Sequence, residues 1–266
     1  NGANGTNSAE IVAFDPSSDR LYIANSIGQK MDVVNFSNPA APALITSISM
    51  VPYGGINSIV SKNGIVAVAV ENANPQLNGS VVFFDQNGLF LNQVTVGAMP
   101  DMITFNQDYT KVLTANEGEP NATYSVDPEG SVSIINIAGG IAALTQANVT
   151  NISLSQYNGQ EVALRAQGIR IFTSSASVAQ DLEPEYIAVS TDNTKAYVTL
   201  QENNALLTID LLTNSIVSLT PFGYSSYAAG SNNALDASDQ SGMVLITGDL
   251  PIKGAYMPDA MTYKTI

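Results

Sequence analysis

Apolar and polar residues alternate in short runs along the chain, and the runs recur in the same order. The clearest copy has an alternating run at residues 100–105 (PDMITF), a polar turn at 106–110 and a second run at 111–116. Other copies of this pattern begin at residues 9, 56, 184 and 257. Period-two alternation, β-branched and aromatic residues and Asn-Gly turns are typical of antiparallel strand pairs. We therefore predict a repeated β-hairpin.

Further strands follow these pairs. Third strands are predicted at residues 31–36, 80–85, 130–137 and 205–211, and fourth strands at 43–49, 89–96 and 215–220. Four short antiparallel strands in a unit of roughly 45 residues are characteristic of a β-propeller blade. The predicted fold is all-β, a β-propeller of four-stranded blades in a single domain over residues 1–266. A β-sandwich or another large all-β fold is the alternative.

Two insertions lengthen the spacing between repeats, at about 138–182 and 222–256. The first contains a predicted short helix over about 159–166, and the second is predicted to be a long surface loop. The fifth repeat has only its first strand, at 257–263, and such a blade has an open sheet edge. We therefore expect an incomplete propeller, the N-terminal portion of a longer one. Closure around four to five blades is the alternative.

The composition excludes several kinds of chemistry. The chain has no His and no Cys, which excludes His-dependent triads, Cys nucleophiles and disulfides. With 9 Lys and Arg against 23 Asp and Glu, its net charge of −14 disfavours binding to nucleic acid or anionic membranes. No apolar run is long enough for a transmembrane segment. A bound metal would be a hard cation with oxygen ligands, such as calcium.

Carboxylates and amides recur where the predicted first strands begin and the second strands end. In a propeller blade these two points reach the same face, around the central channel. Residues at these points are Glu10, Asn57, Asp101, Glu185 and Asp259, then Asn25, Glu71, Asn116, Glu117 and Glu202. Further acidic residues in adjoining loops are Glu119, Asp127, Glu129 and Glu183. The sequence thus predicts a strongly acidic face.

Crowded carboxylates repel one another and favour a hard cation between them. The predicted calcium ligands are Glu10, Asp101, Glu117, Glu185, Glu202 and Asp259. A second, weaker candidate is the pair Asp236 and Asp239 in the long loop. The alternative is that these residues cap strands, form turns or lie solvated on an acidic surface. No EF-hand pattern fixes a ligand set.

Several longer motifs resemble the choice-of-anchor I family of secreted bacterial surface proteins. They are GSVVFFD (79–85), MPDM (99–102), TANEGEP (114–120), VDPEGSVSII (126–135), SVAQDLEPEYIAVS (177–190), AYVTLQENNA (196–205) and LDASD (235–239). The resemblance covers nearly the whole chain. It implies export, a β-propeller, an extracellular or cell-surface location, and an interchangeable C-terminal anchor beyond Ile266.

Two functions are compatible with these observations. The first is a non-catalytic binding, adhesion or extracellular assembly module whose partners are cell-surface or matrix components or copies of itself. The alternative is a calcium-dependent phosphoesterase, since some relatives carry alkaline-phosphatase-like or phytase-like labels. Bound phosphate needs Lys or Arg as well as cations, and nine basic residues supply these poorly.

Overall fold

Antiparallel sheets make up most of the structure, a computed structural model that describes residues 9, 11–172, 175–238 and 240–265. Within these ranges, four sheets have four strands each and a fifth has two. Every four-stranded sheet is a meander in which neighbouring strands follow the order of the chain. The all-β prediction and its four-stranded units are therefore confirmed.

The strands lie close to their predicted positions. The first sheet contains β1 (Val12–Asp15), β2 (Arg20–Asn25), β3 (Lys30–Asn35) and β4 (Ala43–Ser49). The second contains β5 (Gly55–Lys62), β6 (Ile65–Glu71), β7 (Asn78–Asp85) and β8 (Phe90–Ala98). The third contains β9 (Pro100–Phe105), β10 (Lys111–Asn116), β11 (Ser131–Asn136) and β12 (Val149–Ser153). The fourth contains β13 (Tyr186–Val189), β14 (Lys195–Leu200), β15 (Ala205–Asp210) and β16 (Ser215–Pro221).

The four sheets pack face to face in sequence order. In β6, Val66 and Val68 are buried against the first sheet, whereas Ala67 and Ala69 are buried against the third. This follows from the strand period, which sends successive side chains to opposite faces. A further apolar cluster, including Leu113 and Val198, joins the third and fourth sheets. Each sheet is therefore packed as a propeller blade, and we refer to the sheets as blades 1 to 4.

The two ends of this series differ. The outer face of blade 1 carries Val12, Phe14 and Leu44, which are all exposed. At the other end, Tyr263 stacks on Tyr197 of blade 4 with ring centroids 5.7 Å apart. The segment 257–263, predicted as a first strand, has no strand assignment in the structure. Its residues 261–263 instead form a groove with β9 and β13, so they lie beside first strands without pairing to them.

The first predicted insertion contains structure that belongs to blade 3. Strand β12 lies in this segment and pairs with β11, although it is not predicted from the sequence. The predicted helix is present as α1 (Glu161–Gln167). A second helix, α2 (Val178–Asp181), is capped by Ser177, whose side chain accepts a hydrogen bond from the Gln180 N–H. Both helices pack on the cluster between blades 3 and 4.

The second predicted insertion is mostly irregular, as expected. It contains an antiparallel pair of short strands, β17 (Tyr224–Ser226) and β18 (Lys253–Ala255), joined by the long loop. The rest of the described segment is loop, with an isolated bridge between Leu235 and Thr247.

Candidate functional site

Strand pairing places the predicted carboxylates on one face. Asp101 lies at the start of β9, and Glu117 directly follows β10, its N–H donating to the Met99 carbonyl at 3.0 Å. In blade 4, the N–H of Glu185 donates to the Thr199 carbonyl at 2.9 Å. The start of each first strand therefore lies beside the end of the second. We name this face the acidic rim and define it by its carboxylates: Asp101, Glu117, Glu119, Glu183, Glu185, Glu202 and Asp259.

Glu117 is the carboxyl most strongly perturbed by its surroundings. Burial, reinforced by the charges of Asp101, Glu119, Glu185 and Glu183, raises its pKa from 4.5 to about 9. Desolvation and like charges both disfavour the ionised form. Glu117 is therefore protonated at neutral pH when no cation is present.

Glu185 connects blade 4 to the C-terminal segment. Burial and the nearby Glu202, Asp259 and Asp101 raise its pKa to about 7, and its carboxyl is hydrogen-bonded to that of Asp259. With its amide nitrogen turned toward acceptors, Gln201 donates to both Glu185 oxygens at 3.1 Å. Glu185 therefore changes protonation near neutral pH.

Glu183 is held on the other side of the rim by a buried amide. Burial and the charges of Glu202, Glu119, Asp181 and Asp127 raise its pKa to about 8. The Asn203 Oδ1 accepts from the Glu183 N–H at 3.1 Å, while its Nδ2 donates to the carbonyls of Arg170 and Asp181 at 3.0 and 2.7 Å. Asn203 thus ties three loop segments together under the rim.

Asp181 and Asn203 are site residues that sequence reasoning missed. Asp181 is only 8% exposed, and both its oxygens accept from the Phe172 N–H, at 2.9 and 3.0 Å. A signal existed for the second residue, because the Asn203-Asn204 pair directly precedes the third strand predicted at 205–211, and Asn204 adopts a positive φ of 55°. Asn is favoured in that conformation, which marks a tight turn.

The structure brings together five of the six predicted calcium ligands. Asp101, Glu117, Glu185, Glu202 and Asp259 are coupled through the electrostatic contacts above. Glu10 lies outside the described residues. No group of three carboxylates within the described ranges is arranged to hold a metal ion. Calcium binding therefore stays a prediction, and it requires carboxylates of the rim to move together.

Other residues predicted on this face have varied positions. Glu71 is near the rim, because its pKa is raised by burial, with a further contribution from Glu119, and Asn57 is its hydrogen-bond partner. Asn116 is not on the face: its side chain is buried and donates to Ser131 and Ser133 at 3.1 and 2.9 Å. Period two explains this difference, since Asn116 is the last residue of β10 and points between blades.

The remaining candidates lie in turns and loops. Asn25 accepts from the Gly28 N–H at 2.7 Å in a turn, and Glu129 is exposed. In the long loop, Asp236 accepts from the Ser238 N–H, as in an ordinary turn, and from the Leu245 N–H across the loop. Asp239 lies outside the described residues.

A cleft of about 470 Å³ adjoins the acidic rim. Its lining consists of Glu119, Pro120, Asn121, Ala122, Tyr124, Asp127, Phe172, Ala176, Gln180, Asp181, Glu183 and Glu202. Two of these side chains are large exposed aromatics, Tyr124 at 71% and Phe172 at 56%. The cleft therefore combines carboxylates with apolar walls.

Solved structures of other proteins are similar to this chain at low sequence identity. A protein from Lactobacillus plantarum has a TM-score of 0.52 and 13% identity, covering 80% of this chain and 57% of its own. The nidogen/laminin complex has a TM-score of 0.49 and 12% identity, covering 82% and 65%. A protein of unknown function from Bacteroides caccae has a TM-score of 0.47 and 10% identity, covering 80% and 60%. The chain thus spans less than two thirds of each of these structures, and the first match supports the fold alone.

Sequence comparison gives the family. No curated protein matches the chain. None of the helices in the described ranges is long and apolar enough to cross a bilayer. The family model for the choice-of-anchor I domain matches residues 10–266, nearly the whole chain. The chain therefore belongs to the choice-of-anchor I family.

Proposed function

We propose that this chain is part of a secreted or cell-surface bacterial β-propeller that binds surface or matrix components, or copies of itself, without catalysis. The observation that carries the proposal is the acidic rim, where carboxylates from successive blades meet at one face. Family membership supports the location, because choice-of-anchor proteins are surface-associated. The acidic rim is the binding face in this proposal.

Calcium is the proposed ion at this rim. Burial and neighbouring carboxylates raise the pKa of Glu117 to about 9 and that of Glu183 to about 8, so both hold protons at neutral pH. A hard divalent cation would replace those protons and relieve the repulsion. Asp101, Glu117 and Glu185 are the proposed central ligands, because Asp101 and Glu185 both raise the pKa of Glu117 and Asp101 also raises that of Glu185.

We also propose that blades 1 to 4 are one part of a larger ring. Blade 1 has an exposed apolar outer face, whereas both faces of blades 2 and 3 are covered. Residues 261–263 lie beside the first strands β9 and β13 without pairing to either. A further blade would cover the exposed face of blade 1 and could pair with the segment 261–263.

The test measures binding of the purified protein to bacterial cell-envelope fractions and to itself, with about 1 mM calcium or with a chelator. The rim variant combines Asp101→Asn, Glu117→Gln and Glu185→Gln. The control removes three charges elsewhere, through Asp19→Asn, Glu161→Gln and Asp249→Asn. We expect calcium-dependent binding that the rim variant loses and the control keeps. Equal binding by all three proteins would refute the role of the rim.

The same preparation tests the enzymatic alternative. Phosphate monoesters are incubated with wild type and the rim variant in the presence of calcium. Turnover by wild type that the rim variant lacks would replace the binding proposal with a phosphoesterase.

A further inference from the structure

The cleft beside the acidic rim has the features of a ligand site of its own. We propose that it binds an organic cation, a primary ammonium or guanidinium group on an apolar stem, as found in polyamines and in the Lys and Arg side chains of peptides. This inference rests on the proposed binding function and names the chemistry that one part of the face recognises.

The shape of the cleft fits a small organic group better than a bare ion. Its volume of about 470 Å³ lies within the range of small-molecule pockets, about 300–1,000 Å³. Its carboxylates surround this space, and no three of them among the described residues are arranged to hold a metal ion. A ligand that contacts several of them must therefore span the cavity, which a stem with a charged end can do.

The aromatic side chains are a second observation, independent of the charge. Tyr124 and Phe172 are large, exposed and placed at the same cavity. Rings of this kind bind cations through their faces and gain further free energy when they leave water. The guanidinium of Arg170 already lies 4.2 Å from the centroid of the Phe172 ring. Phe172 thus already contacts a cation of the chain, and Tyr124, which is 71% exposed, is the ring offered to a ligand.

The apolar walls match the stem of such a ligand. Pro120, Ala122 and Ala176 line the cavity between the charged groups. A hydrated metal ion gains nothing from these surfaces, whereas methylene groups do, at about 25 cal/mol per Å² buried. Stem and charge are thus recognised by different parts of the same cleft.

Carboxylates supply the charge at different depths. Asp181 is the most deeply buried of them and is fixed by the Phe172 N–H and by Asn203. Glu183 and Glu202 are coupled to each other beside it. Among the described residues that line the cleft, none is a Lys or Arg. This lining therefore favours a positively charged ligand.

Isothermal titration calorimetry with two probes tests the inference: spermidine, and an amidated Lys-Lys-Lys peptide. The variants are Glu183→Gln with Glu202→Gln, Tyr124→Ala and Tyr124→Phe. The control, Asp19→Asn with Asp249→Asn, removes the same charge elsewhere, and Asn tolerates the positive φ of 49° at residue 19. Thermal melting of each variant verifies that it is folded.

We expect at least one probe to bind wild type, with affinity reduced tenfold or more in the double Gln variant. Tyr124→Ala should weaken binding several-fold, and Tyr124→Phe should preserve it, because the ring makes the contact. Preference for spermidine identifies a free polyamine as the source of the cation, and preference for the peptide identifies a protein side chain.

Other results overturn the inference. It fails if neither probe binds at about 1 mM, if the control loses as much affinity as the double Gln variant, or if Tyr124→Ala has no effect. Envelope binding by wild type with no binding of either probe leaves the proposed function standing and removes only this site. Probe binding without any envelope binding supports this site and refutes the proposed binding to the cell envelope.

Discussion

Glu117→Gln should stabilise the calcium-free protein, and more so as the pH rises. The Glu117 carboxyl is protonated in the folded state up to a pKa of about 9, whereas in the unfolded chain it ionises near 4.5. The folded state therefore holds more protons, and stability decreases as pH increases between these two values. A neutral Gln removes this dependence. At 1.36 kcal/mol per pKa unit, the expected gain is about 3 kcal/mol at pH 7 and below about 1 kcal/mol at pH 5.

The assay is urea unfolding of wild type and variant at pH 5, 6, 7 and 8 with chelator present. Asp19→Asn, an exposed change in a turn of blade 1, is the matched control and should leave the pH profile of wild type unchanged. A gain that is equal at pH 5 and pH 7, or a loss at both, would refute the reasoning, because Glu117 would then be ionised or solvated in the folded protein.

Three other predictions concern the same face. Calcium at about 100 times its Kd should stabilise wild type by about 2.7 kcal/mol in thermal melts at pH 7.5. It should not stabilise the triple variant Asp101→Asn, Glu117→Gln, Glu185→Gln. Equal shifts in melting temperature for the two proteins would place the ion elsewhere. Gly130→Ala should lower the free energy of unfolding, measured in urea, by more than about 3 kcal/mol, because the added Cβ would lie 2.0 Å from the Leu182 carbonyl oxygen. Gly139→Ala is the control and should be neutral, because its Cβ meets nothing within 4 Å. Asn203→Ala should cost about 2–4 kcal/mol by the same measurement, since it leaves buried groups without partners; a loss below about 0.5 kcal/mol would contradict the proposed scaffold.

The repeated part of the fold could be predicted from the sequence because its signal is local. Strands such as β4 (Ala43–Ser49) and β9 (Pro100–Phe105) match their predicted limits, since alternation and turn residues define both ends. Strand β12 was not predicted, because Ile152 is its only buried residue and the alternation of apolar and polar positions along it is therefore weak. Helix α2 is four residues long, too short for a helical period to be visible.

The site was predictable where strand order determines position. Asp101, Glu117 and Glu185 follow from the rule that first-strand starts and second-strand ends share a face. Asp181 and Asn203 do not follow from it, because irregular loop segments bring them under the rim. Likewise, the cleft is formed by the β10–β11 loop, the segment between β12 and β13, and Glu202 after β14, and no spacing in the sequence indicates its aromatic walls.

The sequential packing of the blades has a consequence for how the molecule opens. Blades 2 and 3 are buried on both faces, whereas blade 1 contacts a neighbour on one face only. In arrays where each unit contacts only its neighbours, local opening free energies follow the number of interfaces. Backbone amides of β6 and β10 should therefore exchange with deuterium most slowly, and those of β1 to β4 most quickly. Until a further blade covers its outer face, blade 1 would thus be the part of the chain that can detach and re-pair while the acidic rim, built mainly on blades 3 and 4, stays assembled.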